Sequence, residues 1–408
     1  MCGITKKLKI KNLFLRDNIK LTMNKKIRIV NIISTLNPIY GGPAATYIQT
    51  CKSLSKNGFD VTVLTYDKKN FFNNKNDNFK TINLNANPKG YNFSLKLIKW
   101  IKANRYNYDY FLFNGIWDFG ILLAKIFLKD KYFVFIHGGL DPYFGTEFLK
   151  RIKKNLYWKI TGKNNLLSSK GVLVSGNNEV KMLKKTYVNT NGIKVYDVGY
   201  SFYQINKPKK IDYKNILYKY FPILHKKKFI LFIGRIHNKK GCDILLQSIL
   251  KIKKLKKYYF LIAGFNFNNS KYENYILDTV KKNQKLKNIV IISKFLQGDI
   301  KDSVIKLADA TILPSRGENF GVSVIESMAL STIPLITNKV GVHHEITKYK
   351  AGLVYRDNVE SISNMILKFI NIEKKTLKLM KINSLKCYDD VFNVKDKNNH
   401  LVKLLKKN

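Results

Sequence analysis

Short, nearly continuous apolar runs recur along this chain, separated by longer stretches with apolar residues at three- and four-residue intervals. Runs of four to eight such residues, bounded by turn-forming residues, read as parallel strands buried on both faces, and the spaced stretches read as helices. In the first half the runs fall at 27–34, 61–65, 109–113, 132–136, 171–175 and 195–199. In the second half they fall at 229–233, 260–263, 289–292 and 310–313. Helical spacing covers 44–57, with Gly58 as its stop, and 243–251. Residues 119–128 are strongly apolar, but the run is short for a membrane span and contains Lys125, so a core helix is expected. The stretch 71–92 is rich in Asn, weakly patterned, and expected to be a connection. Alternating strands and helices predict an α/β protein with doubly wound sheets.

A chain of 408 residues exceeds what one core usually supports, so two domains are expected. We place an N-terminal, acceptor-side Rossmann-like domain at 23–203, with a linker near 201–208. A second, donor-binding domain follows at 204–380, and a basic helical segment at 381–408 is expected to cross back to the first domain. Residues 1–22 are basic and lack a long apolar core, and a second start-like sequence stands at Met23, so the extension is expected to lie outside the fold.

The candidate chemistry gathers after the run 310–313. There Pro314, Ser315 and Gly317 lead through Glu318, Asn319, Phe320, Gly321 and Val322 into a segment with helical character reaching Glu326. A strand, a turn and a helix start meet, so the amides of Phe320, Gly321 and Val322 should be free to meet an anion such as a phosphate. Glu318 in the loop and Glu326 two turns into the helix can accept hydrogen bonds from hydroxyls. That combination suits a sugar nucleotide. The plainer alternative is a capped helix carrying two solvated glutamates. Upstream, after the strand 229–233, Arg235 and Lys240 share one loop and could neutralise a diphosphate. The first βα unit carries Gly41 and Gly42 but no Gly-x-Gly-x-x-Gly, so a nicotinamide or flavin fingerprint is absent. His137 stands at the end of the strand 132–136, where open α/β sheets place ligands.

The run from Pro314 to Glu326 closely resembles the Pro-Ser-x-x-Glu-x-Phe-Gly-x-x-x-x-Glu signature of the family-4 retaining glycosyltransferases, and the likeness extends over most of residues 26–360. The resemblance implies the GT-B fold, two Rossmann-like doubly wound domains about a central cleft. It implies a nucleotide diphosphate sugar as donor, held mainly by the second domain, and transfer with retention. Carried onto this chain, His137 and Glu318 take catalytic positions. Gly41, Gly42, Arg235, Lys240, Asn319, Phe320, Gly321, Val322 and Glu326 border the donor, with Glu326 at the ribose hydroxyls and Glu318 at the sugar. Three departures stand out. Asn114 replaces a histidine of the family's His-Gly-x-Trp, Asp197-Val198 replace a Pro-Asn, and Ser331 stands where a glycine usually follows Met-Ala.

Composition changes the picture in two ways. Four scattered cysteines suggest neither disulfides nor a zinc site, and a cytoplasmic protein is expected. Lys and Arg number 74 against 27 Asp and Glu, a net charge of +47, which favours anionic partners. Compositional bias and a peripheral role on the inner face of the membrane both account for it. No Asp-x-Asp occurs, so no metal is expected, and beyond the sugar nucleotide itself no cofactor. The reading is a metal-independent glycosyltransferase acting on a saccharide or lipid-linked saccharide in cell-surface polysaccharide, lipopolysaccharide or glycolipid synthesis. A sugar-nucleotide epimerase of the same fold and a polyanion-binding protein are the alternatives. No specific nucleic-acid partner is expected, because the charge is dispersed rather than gathered in a binding motif.

Overall fold

The computed structural model describes residues 26–37, 42–71, 79–85, 92–137, 139, 148–176, 179–180, 190–199, 211–253, 255, 258–267, 270–393 and 399–407. Two wholly parallel sheets organise them. The first contains β1 (Arg28–Ile33), β2 (Asp60–Thr65), β3 (Lys80–Asn83), β4 (Tyr110–Asn114), β5 (Tyr132–Phe135), β6 (Gly171–Val174) and β7 (Val195–Asp197), in the order β3-β2-β1-β4-β5-β6-β7. The second contains β8 (Lys228–Ile233), β9 (Tyr258–Phe265), β10 (Val290–Lys294), β11 (Ala310–Leu313), β12 (Ile333–Thr337) and β13 (Leu353–Tyr355), in the order β10-β9-β8-β11-β12-β13. This is the GT-B architecture, two Rossmann-like domains. In each sheet the strand order reverses beside the first strand, between β1 and β4 and between β8 and β11. Such reversals open a crevice at the carboxyl ends of the strands, so the candidate residues at 137, 235–240 and 314–322 all lie at crevice positions.

The central strands are apolar because helices cover both faces. In β1 five of six residues are buried, and Val30 pairs with Thr62 of β2 and Phe111 of β4. The edge strands lack that signal. β3 reads Lys-Thr-Ile-Asn, is only half-buried, and lies inside the stretch taken from sequence as a connection. β12 and β13 were not singled out either, and β10 begins after a short helix, Gln284–Ile289, that occupies the start of the anticipated run.

The helix Phe119–Phe127 buries Ile121, Leu123 and Ala124 in the first domain's core. Among the described residues no helix is long and apolar enough to cross a membrane. Near the end of the chain, Phe392 packs in the second domain's core, whereas the helix His400–Lys407 sends Leu401, Val402 and Leu405 into the core of the first. They join Tyr47, Cys51, Leu54 and Phe59, and Asn399 Nδ2 donates to Ser53 Oγ at 2.8 Å.

Candidate active site

Two loops of the second domain are stitched together at the ends of β8 and β11. Gly234 and Gly264 meet where a side chain at Gly264 would collide with the Gly234 carbonyl, so the chain can leave β8 only over a bare glycine. The following loop turns through Asn238–Lys240 and closes at Gly241, whose φ of 73° is left-handed and whose Cβ would strike the Pro314 carbonyl. Arg316 then clamps the loops. Its guanidinium grips Asp243 through two contacts, Nη2 to Oδ2 at 2.6 Å and Nη1 to Oδ1 at 2.9 Å, and Nη1 also donates to the Asn238 carbonyl at 2.7 Å. Burial opposes ionisation of Asp243, but Arg316 and the Tyr272 hydroxyl outweigh it and hold this carboxyl below the usual range. The amide of Arg316 and the hydroxyl of Ser315 both donate to the Lys239 carbonyl, at 2.8 Å each.

This clamp sets Lys240 against Glu318 as an ion pair. The Glu318 backbone is fixed as well, its amide donating to the Lys339 carbonyl at 3.0 Å and its carbonyl accepting from Gly341 at 2.7 Å. Burial would raise the Glu318 pKa, yet Lys240, then Lys239 and the Gly321 amide, hold it below the ordinary value. The carboxylate is therefore ionised at neutral pH. Gly321 has a φ of 70° and starts the helix Val322–Ala329, where no side chain caps the first turn. From sequence the Gly321 amide is expected to meet an anion; in the structure it helps to keep the Glu318 carboxylate ionised. Asn319 Oδ1 is buried and has no partner among the described residues. Phe320 is a core residue, its ring centroid 6.3 Å from that of Phe392. On the same helix Glu326 is gripped by Lys301, Nζ to Oε1 at 2.6 Å, from the neighbouring helix Gly298–Leu307. Burial would lower the Lys301 pKa, but Glu326 outweighs it and keeps the ammonium above its usual range.

Arg235 is exposed and has no ion-pair partner among the described residues. Burial first, then Arg235, Lys240 and Lys239, hold the nearby His237 below its ordinary pKa. The three cations add to the effect of burial, and their concentration at the end of β8 makes the loop receptive to an anion.

In the first domain His137 adopts a left-handed φ of 41° just past β5. Its ring stacks on Phe135, centroids 5.1 Å apart, and meets Tyr47 edge-on at 5.2 Å. Nε2 lies 2.9 Å from Asn114 Oδ1. The Asn114 amide nitrogen is committed to Asn31 Oδ1 at 2.5 Å and the Ile32 carbonyl at 3.0 Å, so its oxygen faces the imidazole and accepts from Nε2–H. Nδ1 is then the bare nitrogen. The chain of contacts runs on from Asn31 Nδ2 to Cys51 Sγ at 3.0 Å. Burial among these rings lowers the His137 pKa to about 4, and the imidazole is neutral at physiological pH. Trp117 packs beneath this turn, donating from Nε1 to the Gly139 carbonyl at 2.7 Å.

Of the residues singled out from sequence, Lys240, Glu318, Asn319, Gly321 and Val322 lie together on the stitched loops, with Arg235 on the same loop as Lys240. Glu326 lies beyond on the helix, and His137 contacts first-domain groups. Gly42 begins the helix Gly42–Lys56, and Gly41 lies outside the described residues, as do 1–22, 140–143 and the linker at 201–208. Leu296, just past β10, is buried in the same core cluster as Ile233 and Ala263. Sequence reasoning missed Arg316, Asp243, Lys301 and the holding role of Asn114. Arg316 was within reach, since it occupies a variable position of the signature; Lys301 sits on another helix and left no local signal.

Residues 218–385 match the family described as glycosyl transferases group 1. An uncharacterized glycosyltransferase of Methanocaldococcus jannaschii is 31% identical over 138 residues, 33% of this chain and 34% of that protein. The O-antigen biosynthesis glycosyltransferase WclY of Escherichia coli is 31% identical over 113 residues, 28% of this chain and 29% of that protein. The matched segment thus spans about a third of these curated relatives. Among solved structures, Anabaena Alr3699/HepE in complex with UDP-glucose superimposes with a TM-score of 0.70 at 13% identity, covering 93% of this chain and 99% of that one. Over residues 218–385 the chain therefore matches the group 1 glycosyl transferases, and over nearly its whole length it has the two-domain GT-B fold.

Proposed function

We propose that the protein transfers a sugar from a nucleoside diphosphate sugar to a hydroxyl of a saccharide or lipid-linked saccharide, with retention of configuration and without a metal. The observation that carries the reading is the Lys240–Glu318 pair held by the Arg316 clamp at the start of the helix Val322–Ala329. A loop that sets a cation, an ionised carboxylate and a helix N-terminus at one crevice can meet the diphosphate and the sugar hydroxyls of one ligand at once. In this reading Lys240 and Arg235 neutralise the departing diphosphate, and Glu318 accepts from the donor sugar. Glu326, steadied by Lys301, accepts from ribose hydroxyls, and the unpartnered Asn319 Oδ1 offers a further acceptor. His137, neutral and fixed by Asn114, presents Nδ1 as a hydrogen-bond acceptor. Gly41 and Gly42 border the donor. The relatives fit this reading, one named for O-antigen biosynthesis and one solved in complex with UDP-glucose. An anionic membrane surface is the proposed setting, given the net charge of +47.

The test is thermal denaturation with UDP, GDP and ADP, followed by product analysis with labelled nucleotide sugars. A ligand at about 100 times its Kd should add about 2.7 kcal/mol, and the rise should persist in chelator. No shift with any nucleotide, or its loss in chelator, contradicts the proposed donor site; conversion of the sugar without transfer would instead indicate an epimerase.

A further inference from the structure

One helical layer of the first domain carries apolar side chains on its outward side as well as on its inward one. The helix Phe148–Tyr157 continues through a π turn, Trp158–Gly162, into Lys163–Leu167. Its inward side buries Trp158 and Leu166 in the core. Its outward side carries Ile152, Leu156, Ile160 and Leu167, which remain 50%, 58%, 63% and 44% exposed. Residues four apart lie on one side of a helix, so the first three form a continuous apolar stripe. Lys153 and Lys159, both exposed, flank it, and residues 148–178 contain seven Lys or Arg and no Asp or Glu. Elsewhere in the first domain exposed aliphatic side chains also stand next to lysines, Ile126 beside Lys125 and Leu95 beside Lys96.

Large aliphatic side chains in such numbers on one surface need a cover. The unbalanced cations beside them select its chemistry, because a lipid layer offers anionic headgroups to the lysines and an acyl boundary to the aliphatic side chains. We propose that residues 152–167 lie flat in the headgroup layer of an anionic bilayer, with Ile152, Leu156 and Ile160 dipping into its apolar boundary. Charge draws the protein to the surface and the stripe fixes which face meets it. The inference rests on the membrane named under the proposed function and on none of the donor chemistry.

The experiment is co-sedimentation of the full chain with vesicles of phosphatidylglycerol and phosphatidylethanolamine, against vesicles of phosphatidylcholine alone. Wild-type protein should pellet with the anionic vesicles only. Ile152→Asp, Leu156→Asp and Ile160→Asp together should lower partitioning roughly tenfold or more, with melting temperature and any nucleotide-induced shift unchanged, because all three side chains are exposed. Lys153→Glu with Lys159→Glu should weaken it on anionic vesicles. Leu379→Asp with Ile382→Asp, exposed on the second domain's helix Lys374–Cys387, should leave it intact. Wild-type pelleting by the triple variant, or equal binding to phosphatidylcholine, overturns the proposal. So does a wild-type dimer that ignores vesicles and that the triple variant converts to monomer, which would give the stripe to a second copy. Absence of any nucleotide shift with vesicle binding intact would remove the donor reading alone.

Discussion

Single residues carry two departures from the resembled signature, and the structure shows what each position demands. Ser331 has a φ of 59° where relatives usually place glycine, and it closes the helix Val322–Ala329 with Thr332 N donating to Ser327 O at 2.8 Å and Ser331 N to Met328 O at 3.0 Å. A left-handed serine costs about 1–2 kcal/mol, partly offset on substitution by the greater freedom of unfolded glycine. Ser331→Gly should therefore gain about 0.5–1 kcal/mol in denaturant unfolding. Asn114 likewise stands in for a histidine, yet it holds one: the amide fixes His137 from below. Since the folded imidazole titrates at about 4 against an ordinary 6.5, the unfolded chain binds this proton first as pH falls. Stability from this residue is complete above 6.5 and is lost on descending towards 4. Melting curves across that window should fall for the wild type and flatten for His137→Gln. Asn114→Asp would set a carboxylate against Nε2, and the imidazole proton resonances should then titrate nearer neutrality; an unmoved titration would mean the contact is not made.

At the scale of elements, the stitched loops account for most of the candidate site's rigidity. The paired contacts of Arg316 with Asp243 depend on the planar guanidinium, so Arg316→Lys should cost about 1.5–3 kcal/mol and impair nucleotide binding with it. Gly241→Ala should be still less tolerated, because the Pro314 carbonyl occupies the space its Cβ would need. A bound diphosphate should neutralise the loop's cations, and the His237 pKa should move up on nucleotide addition, in the direction opposite to its present displacement. Much of this region was legible beforehand. The buried runs β8 and β11 announced themselves by apolar continuity, and the residues after them by their spacing. Hidden from sequence were the pairings. Nothing in the order of residues says that Lys240 reaches Glu318, or that Lys301 reaches Glu326 from another helix, since these contacts exist only once the strands are registered. β3 was hidden for a different reason: an edge strand need not be apolar, and Lys80–Asn83 has no run to read.

For the whole molecule, the alternating runs announced doubly wound parallel sheets, whereas the two-domain GT-B arrangement was legible only through the resemblance carried by Pro314 to Glu326. Leu405 is fully buried among Leu54, Phe59 and Val61. Leu405→Ala should cost about 2–5 kcal/mol, and its effect should appear in the unfolding of the first domain although the residue lies beyond the second. Hydrogen exchange on the helix Gly42–Lys56 is the measurement that separates the two.

Asn399 reaches Ser53 across 346 positions of sequence. During synthesis the ribosome delivers Tyr47, Cys51, Leu54 and Phe59 early and their cover, Leu401 to Leu405, only after the entire second domain has emerged. The first domain thus waits through the synthesis of the second with an uncovered apolar face, a long window for aggregation or for a chaperone. Its completion is timed by the synthesis of the second domain and of the helix that follows it, not by its own synthesis.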